Sequence, residues 1–492
     1  MMSNTWHSAV SHAHLTDVES QENSKRICDS NHDLSSRYRG DISPGNSAGT
    51  DEYSHGVPST PSKVVNFPRA AYIEETGTRA GDAKKQPKFT VASQLRATIL
   101  NSWINVLVLA APAGISLHVV KGNPIAIFVV NFIAIIPLAA MLSYATEELA
   151  LRTGEAIGGL LNASFGNAVE LIVAIIALAK GNVQIVQTSL IGSMLSNLLL
   201  VLGMCFFFGG IDRVEQHFNI TVAQTAASML AFAVSSLIIP TAFCIWPTTT
   251  DVDKTASLSR GISILLLITY GCYLFFHLKS HVDIYSRPGR KVERRHKKIH
   301  RGDTRRGIAQ VARISAVLMG GSVRQIQMQD PHNEPEQPQL TILVALITLG
   351  VSTTLVAFCA EFMVSSIDAL TATGSIGETF VGLILLPIVG NAVEHATAVT
   401  VACKDKMDLA IGVAVGSSMQ IALLVLPLIV VIGWIMEVED MTLNFQAFQI
   451  VVLFVAVLLV NYLISDGKSH WLEGVLLMMM YLIIAIAAWF MN

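Results

Sequence analysis

Two runs of 24 residues, Ala156–Ala179 and Phe380–Cys403, are apolar almost throughout, and each carries a single carboxylate, Glu170 and Glu394. Hydrocarbon offers the backbone no hydrogen-bond partner, so a chain crosses it as a helix of about 20 predominantly apolar residues. A charge at the centre of such a helix costs at least ~2.5 kcal/mol. A chain that places an acid there twice must supply it with a partner. Composition agrees with a membrane setting. Of 492 residues 52% are hydrophobic and 14% charged, where an average soluble domain has roughly 25% charged.

Apolar runs between polar breaks predict eleven spans, at 98–119, 124–145, 156–179, 187–208, 220–246, 257–277, 340–360, 380–403, 409–435, 444–464 and 469–491. The fold expected is an all-α integral membrane protein. Residues 1–95 are rich in Ser, His, Asn, Asp and Gly and read as a disordered cytosolic tail with no secretory leader. Its histidines (His7, His12, His14, His32, His55) are too irregularly spaced to make a good metal site. A break at 278–339 carries "RPGRKVERRHKKIHRGDTRRG", too basic to translocate easily, which puts this linker in the cytosol. Six spans separate it from the N-terminus, which is then cytosolic too, and the C-terminus falls on the far side. The domain plan is therefore a tail (1–95), a first span with a first set of five (96–277), the linker (278–339) and a second set of five (340–492). The cysteines show no CxxC or Cys/His metal spacing and read as small core residues.

The pentapeptide GNAVE occurs at Gly166–Glu170 and again at Gly390–Glu394, an offset of 224 residues. The same offset relates Gly158 to Gly382, Lys180 to Lys404, Gly192 to Gly416 and Ser193 to Ser417. This is an internal duplication. The copies fall on the third and eighth predicted spans, an odd number of crossings apart, so they enter the membrane with opposite polarity. The architecture expected is one extra helix plus two inverted five-helix repeats, as in secondary transporters whose substrate site lies where the halves meet.

Within each motif Asn and Glu are three apart and share a helix face. Asn167 and Glu170 would face Asn391 and Glu394, while Gly166 and Gly390 allow close helix approach. The converging donors are all oxygens, the ligands of hard cations such as Ca²⁺, with Mn²⁺ also admitted. Two carboxylates facing each other in a dry site cannot both stay ionised without a counter-charge. They must hold either a divalent cation or protons, and competition between those occupants is what an antiporter needs.

His395 follows Glu394 where the first copy has Leu171, and a histidine there is a candidate proton relay. Ser193, Ser196, Ser417, Ser418 and Gln420, on the fourth and ninth spans, are candidate auxiliary ligands, although Ser in membrane helices more often serves packing. Glu147, Glu148 and Glu361 lie at span ends, where interfacial placement explains them and guiding ions inward is the alternative. The linker's Arg/Lys cluster reads as a solvated connector, with anionic lipid headgroups as the other reading.

The stretches "GGLLNASFGNAVELIVAIIAL" (158–178), "ETFVGLILLPIVGNAVEHATAV" (378–399) and "KDKMDLAIGVAVGSSMQIALLVLP" (404–427) closely resemble the fungal vacuolar Ca²⁺/H⁺ exchangers of the calcium/cation antiporter superfamily. The resemblance covers about residues 95–492. It implies proton-driven transport of cytosolic Ca²⁺ into an acidic vacuole, a vacuolar-membrane address with a lumenal C-terminus, and metal coordination at Glu170 and Glu394. Many members carry an acidic helix between the halves. Here that linker is mainly basic, with a thin acidic stretch at Asp330–Glu336.

The nearest alternative is a Na⁺/Ca²⁺ exchanger of the same superfamily. Such proteins read "GTSxPE"-like at the motif, and Asn and Ala occupy the hydroxyl positions here. A cation channel could also use an acidic ring, but matched buried acids in inverted repeats suit alternating access better. An enzyme is the weakest reading, since HExxH and P-loop patterns are absent. Transported Ca²⁺ (or Mn²⁺) and H⁺, the lipid bilayer and, left open, a homo-oligomeric copy are the expected partners. Neither a cofactor nor nucleic acid is expected.

Overall fold

The computed structural model describes residues 90–99, 103–153, 161, 165–245, 252–281, 284, 338–372 and 376–491. The expectations for the tail up to residue 89, and for residues 285–337 of the linker, lie outside the described residues. The chain is almost wholly helical. Its elements are α1 (Val91–Ile99), α2 (Ile104–Val119), α3 (Pro124–Thr153), α4 (Ala168–Ala179), α5 (Val183–Gly210), α6 (Ile220–Ile245) and α7 (Val252–Phe275). After the linker come α8 (Ile342–Ser365), α9 (Glu378–Gly390), α10 (Ala392–Cys403), α11 (Met407–Ile435), α12 (Ala447–Leu463) and α13 (Trp471–Trp489).

Seven helices among the described residues are long and apolar enough to cross a membrane, or eight if α9 and α10 are one bent span. Three shorter apolar helices, α2, α4 and α12, accompany them. Leu265, Ile268 and Phe275 of α7, Leu343 and Ile347 of α8, and Ile483 and Ile486 of α13 are exposed. In water, apolar faces of that size would drive aggregation; in lipid they are the ordinary outer surface. The interior is one continuous apolar core drawn from both halves, with α3 packed lengthwise against α8.

The sequence reads each motif run as one unbroken 24-residue span, and the structure corrects this. The second run breaks at Asn391, where α9 and α10 meet at 58°. In the first, a turn at Gly166–Asn167 precedes α4. Gly followed by Asn is a helix-stopping pair, and Asn391 (φ −92°, ψ 6°) and Asn167 (φ −104°, ψ 28°) both leave helical geometry. Glu170 and Glu394 therefore occupy the first turns of new helices.

The 224-residue offset persists in the backbone. α4 and α10 are both 12 residues long. The helices that follow each contain a wider, π-helical turn, at Ser196–Val201 in α5 and Ile421–Val425 in α11. At one end of the bundle three connectors are tied together. Arg213 pairs with Asp405 at 3.4 Å, Gln216 donates to Asp405 at 2.9 Å, and a two-residue antiparallel ladder joins Gln216–His217 to Lys468–Ser469.

Candidate functional site

Asn is a preferred N-cap because its side chain can accept from the first free backbone N–H groups of the helix. Neither Asn167 nor Asn391 does this. Both side chains turn to the opposite half instead. Asn167 Nδ2 donates to Gln420 Oε1 at 2.7 Å, and its Oδ1 accepts from Ser417 Oγ at 2.8 Å. Asn391 Nδ2 donates to the Ser193 carbonyl at 3.4 Å. Each motif is thus closed by the long helix of the other copy, α11 for Asn167 and α5 for Asn391.

The two carboxylates lie in different surroundings. Glu394 lies 3.2 Å from Ser417 Oγ through both its oxygens and accepts from Asn197 Nδ2 at 3.3 Å. Glu170 is 7% exposed, and no described side chain donates to it. It faces a cavity of about 20 Å³ walled by Ser189, Ser193, Ile135, Met363 and Gly390, large enough for one water-sized occupant. A Cβ at Gly390 would stand 3.1 Å from Glu170 Oε1, so this glycine leaves room for the acid of the other motif. Both acids sit at half-helix N-termini, where the exposed N–H groups favour negative charge.

Among the described residues no group of three or more His, Cys, Asp or Glu side chains gathers as a metal cluster. A cation here would use the two carboxylates together with neutral oxygens. Two amide oxygens on residues bonded into this network have no donor of their own. Asn197 Oδ1 and Asn391 Oδ1 are buried with no hydrogen-bond donor, while their amide nitrogens are engaged. A buried acceptor without a donor is a group that a hard cation satisfies.

The other sequence candidates divide. Ser417 and Gln420 join the site, Ser193 contributes its carbonyl and lines the cavity, and Ser196 Oγ pairs with His395 Nε2 at 3.1 Å. Ser418 reaches the carbonyls of Ala414 and Met194, a tie between α11 and α5. Gly166 is exposed at its turn. Glu147 and Glu148 lie three turns beyond Ile135 in α3, about 18 Å along the axis at 1.5 Å per residue. Glu361 is half-exposed and 3.8 Å from Lys180, which also bonds Ser365. Sequence reasoning missed Asn197. Its signal was a lone amide inside the apolar run "SNLLLVLG"; pairing residues by the repeat hid it, because its counterpart at +224 is Ile421.

With this geometry in hand, the chain matches the family described as sodium/calcium exchanger protein over residues 123–279 and 344–490. A vacuolar calcium ion transporter of Cryptococcus neoformans var. grubii is 41% identical over 459 residues, covering 82% of this chain and 76% of that one. A vacuolar calcium ion transporter of Schizosaccharomyces pombe is 40% identical, covering 82% of this chain and 89% of the relative. The crystal structure of the Ca²⁺/H⁺ antiporter YfkE, 33% identical, aligns with a TM-score of 0.60 over 78% of this chain and 98% of that one.

Proposed function

This chain belongs to the sodium/calcium exchanger protein family, and we propose that within it the chain is a proton-coupled antiporter, moving cytosolic Ca²⁺ into an acidic vacuole in exchange for lumenal protons. The observation that carries this reading is one hydrogen-bonded network joining the two motifs: Ser417 donates to Asn167 and lies 3.2 Å from both oxygens of Glu394, Asn197 and Gln420 complete it, and Gly390 of the second motif lies against Glu170. Two ionised carboxylates are balanced by one divalent cation or by two protons, so loading one occupant displaces the other. The oxygen set suits Ca²⁺ and admits Mn²⁺. No cofactor takes part. The vacuolar address is supported by the fungal relatives, and protons as the counter-ion by the neighbour YfkE and by Asn and Ala standing where sodium exchangers carry hydroxyls.

In the proposed cycle alternating access opens and closes the seam between α5 and α9, which is tightly packed here. A Cβ on Gly192 of α5 would overlap the Leu383 carbonyl and press on Pro387, and one on Gly382 would overlap Thr188. At Gly416 of α11, the counterpart of Gly192, a Cβ would meet nothing within 4 Å among the described residues, and the positions that the offset sets opposite it, 159 and 163, lie outside them. In the proposed arrangement eleven crossings form two inverted five-helix repeats after one extra helix. The N-terminus and the basic linker are cytosolic and the C-terminus lumenal, which puts the tied connectors on the cytosolic face and the Lys180–Glu361 pair on the lumenal one. His395, held by Ser196 beside Glu394, is the group we assign to proton hand-over.

The test is Ca²⁺ uptake by sealed vesicles containing the protein, with an acid interior. Uptake that collapses with a protonophore and ignores a Na⁺ gradient is the expected result. Uptake driven by sodium and indifferent to pH would replace protons with Na⁺ as the counter-ion.

A further inference from the structure

Where the central linker ends and α8 begins, three consecutive residues are gripped by side chains from far away in sequence. Glu148, 3% exposed near the end of α3, accepts through one oxygen, Oε2, from the backbone N–H groups of both Gln339 (2.7 Å) and Leu340 (2.9 Å). Arg152, one turn further, donates to the Leu340 carbonyl, and Tyr144 contacts the Gln339 side chain at 3.4 Å. From α1, Gln94 Oε1 accepts from both the N–H and the hydroxyl of Thr341, each at 2.9 Å. Leu340 is fully buried with Tyr144 and Ala345, sealed by Ala97 and Val344. Backbone N–H groups ahead of a helix have no intrahelical partner, and here a buried carboxylate supplies one.

We infer that Glu148 is a positioning residue for transport: its carboxylate fastens the start of α8 to the end of α3, so that the two helices act as one body, and it does not guide ions. This rests on the antiport reading, because the consequence lies at the ion site. Ile135 of α3 and Met363 of α8 both wall the cavity against Glu170, so any slip between the two helices reshapes the space the cation and protons use. The sequence left Glu148 between an interfacial residue and an ion guide. The geometry removes the second role, since the oxygen facing the strip is already engaged by two N–H donors and the residue is buried.

A single acceptor oxygen takes both hydrogen bonds, so an amide can replace the carboxylate in this task but not in attracting cations. The experiment compares Glu148→Gln and Glu148→Ala in reconstituted vesicles, reading KM and maximal rate for Ca²⁺, and reads thermal unfolding midpoints in detergent. Glu148→Gln is expected within about twofold of wild type in both kinetic constants, with its midpoint retained. Glu148→Ala is expected to lose maximal rate, about fivefold or more, at unchanged KM and with a lowered midpoint. A raised KM in Glu148→Gln, or wild-type behaviour in Glu148→Ala, would overturn the inference. If the Ala variant does not accumulate, the Gln variant still decides between an oxygen that binds backbone and a charge that draws ions. If wild type itself shows no uptake, the antiport reading fails, while the midpoints still test the clamp.

Discussion

Ser417 is the side chain on which the proposed site turns. It has one hydroxyl proton and three acceptor oxygens in range: Asn167 Oδ1 at 2.8 Å and the two Glu394 oxygens at 3.2 Å. One proton serves one strong bond at a time, so the hydroxyl links the first motif's amide to the second motif's acid and can reorient when Glu394 takes a cation or a proton. Its oxygen also accepts from Asn197 at 3.1 Å. Groups that orient metal ligands are commonly worth 10–100-fold in affinity. Ser417→Ala is therefore expected to raise the KM for Ca²⁺ about tenfold or more, measured by initial uptake rates at saturating pH gradient. An unchanged KM would mean that Ser417 only packs. Glu170, Glu394, Asn167 and Asn391 were legible from the sequence because intramembrane polar groups are expensive and the motif repeats. Asn197 was not, because its counterpart in the repeat is Ile421 and the duplication does not mark it.

At the scale of the helix, the informative features are the interruptions. Gly390–Asn391 ends α9 and begins α10 in the middle of an apolar run, which converts a costly mid-helix acid into an acid at a helix start. The sequence contained this as a Gly–Asn helix-stop pair. Glycine serves close helix packing as well as helix stops, and the apolar length of the run masks the stop signal. The π-helical turn at Ser196 likewise has no sequence mark, yet it begins with the two residues, Ser196 and Asn197, that reach His395 and Glu394. Gly192 makes this scale testable. Gly192→Ala forces α5 off the Leu383 backbone and is expected to cost about 1–3 kcal/mol, read as a lowered thermal midpoint. A midpoint equal to that of wild type would contradict the tight packing of α5 against α9.

For the molecule as a whole, the apolar runs located the helices well, since a bilayer leaves few alternatives for a chain of this hydropathy. What they could not convey is that the halves are chemically unequal. Glu394 is held by Ser417 and Asn197 while Glu170 opens onto a cavity; only the His395-for-Leu171 difference was visible in the sequence. Repetition is visible in a sequence, while the state of a two-state cycle is set by packing between the halves. The central claim is that the two matched acids jointly hold Ca²⁺ or protons. It is tested most directly by proton-driven Ca²⁺ uptake in vesicles carrying Glu170→Gln or Glu394→Gln, with both proteins shown to be folded and inserted. The account predicts that each substitution alone abolishes uptake, because an amide cannot exchange a proton for half the charge of the cation. Normal uptake in either variant would contradict it.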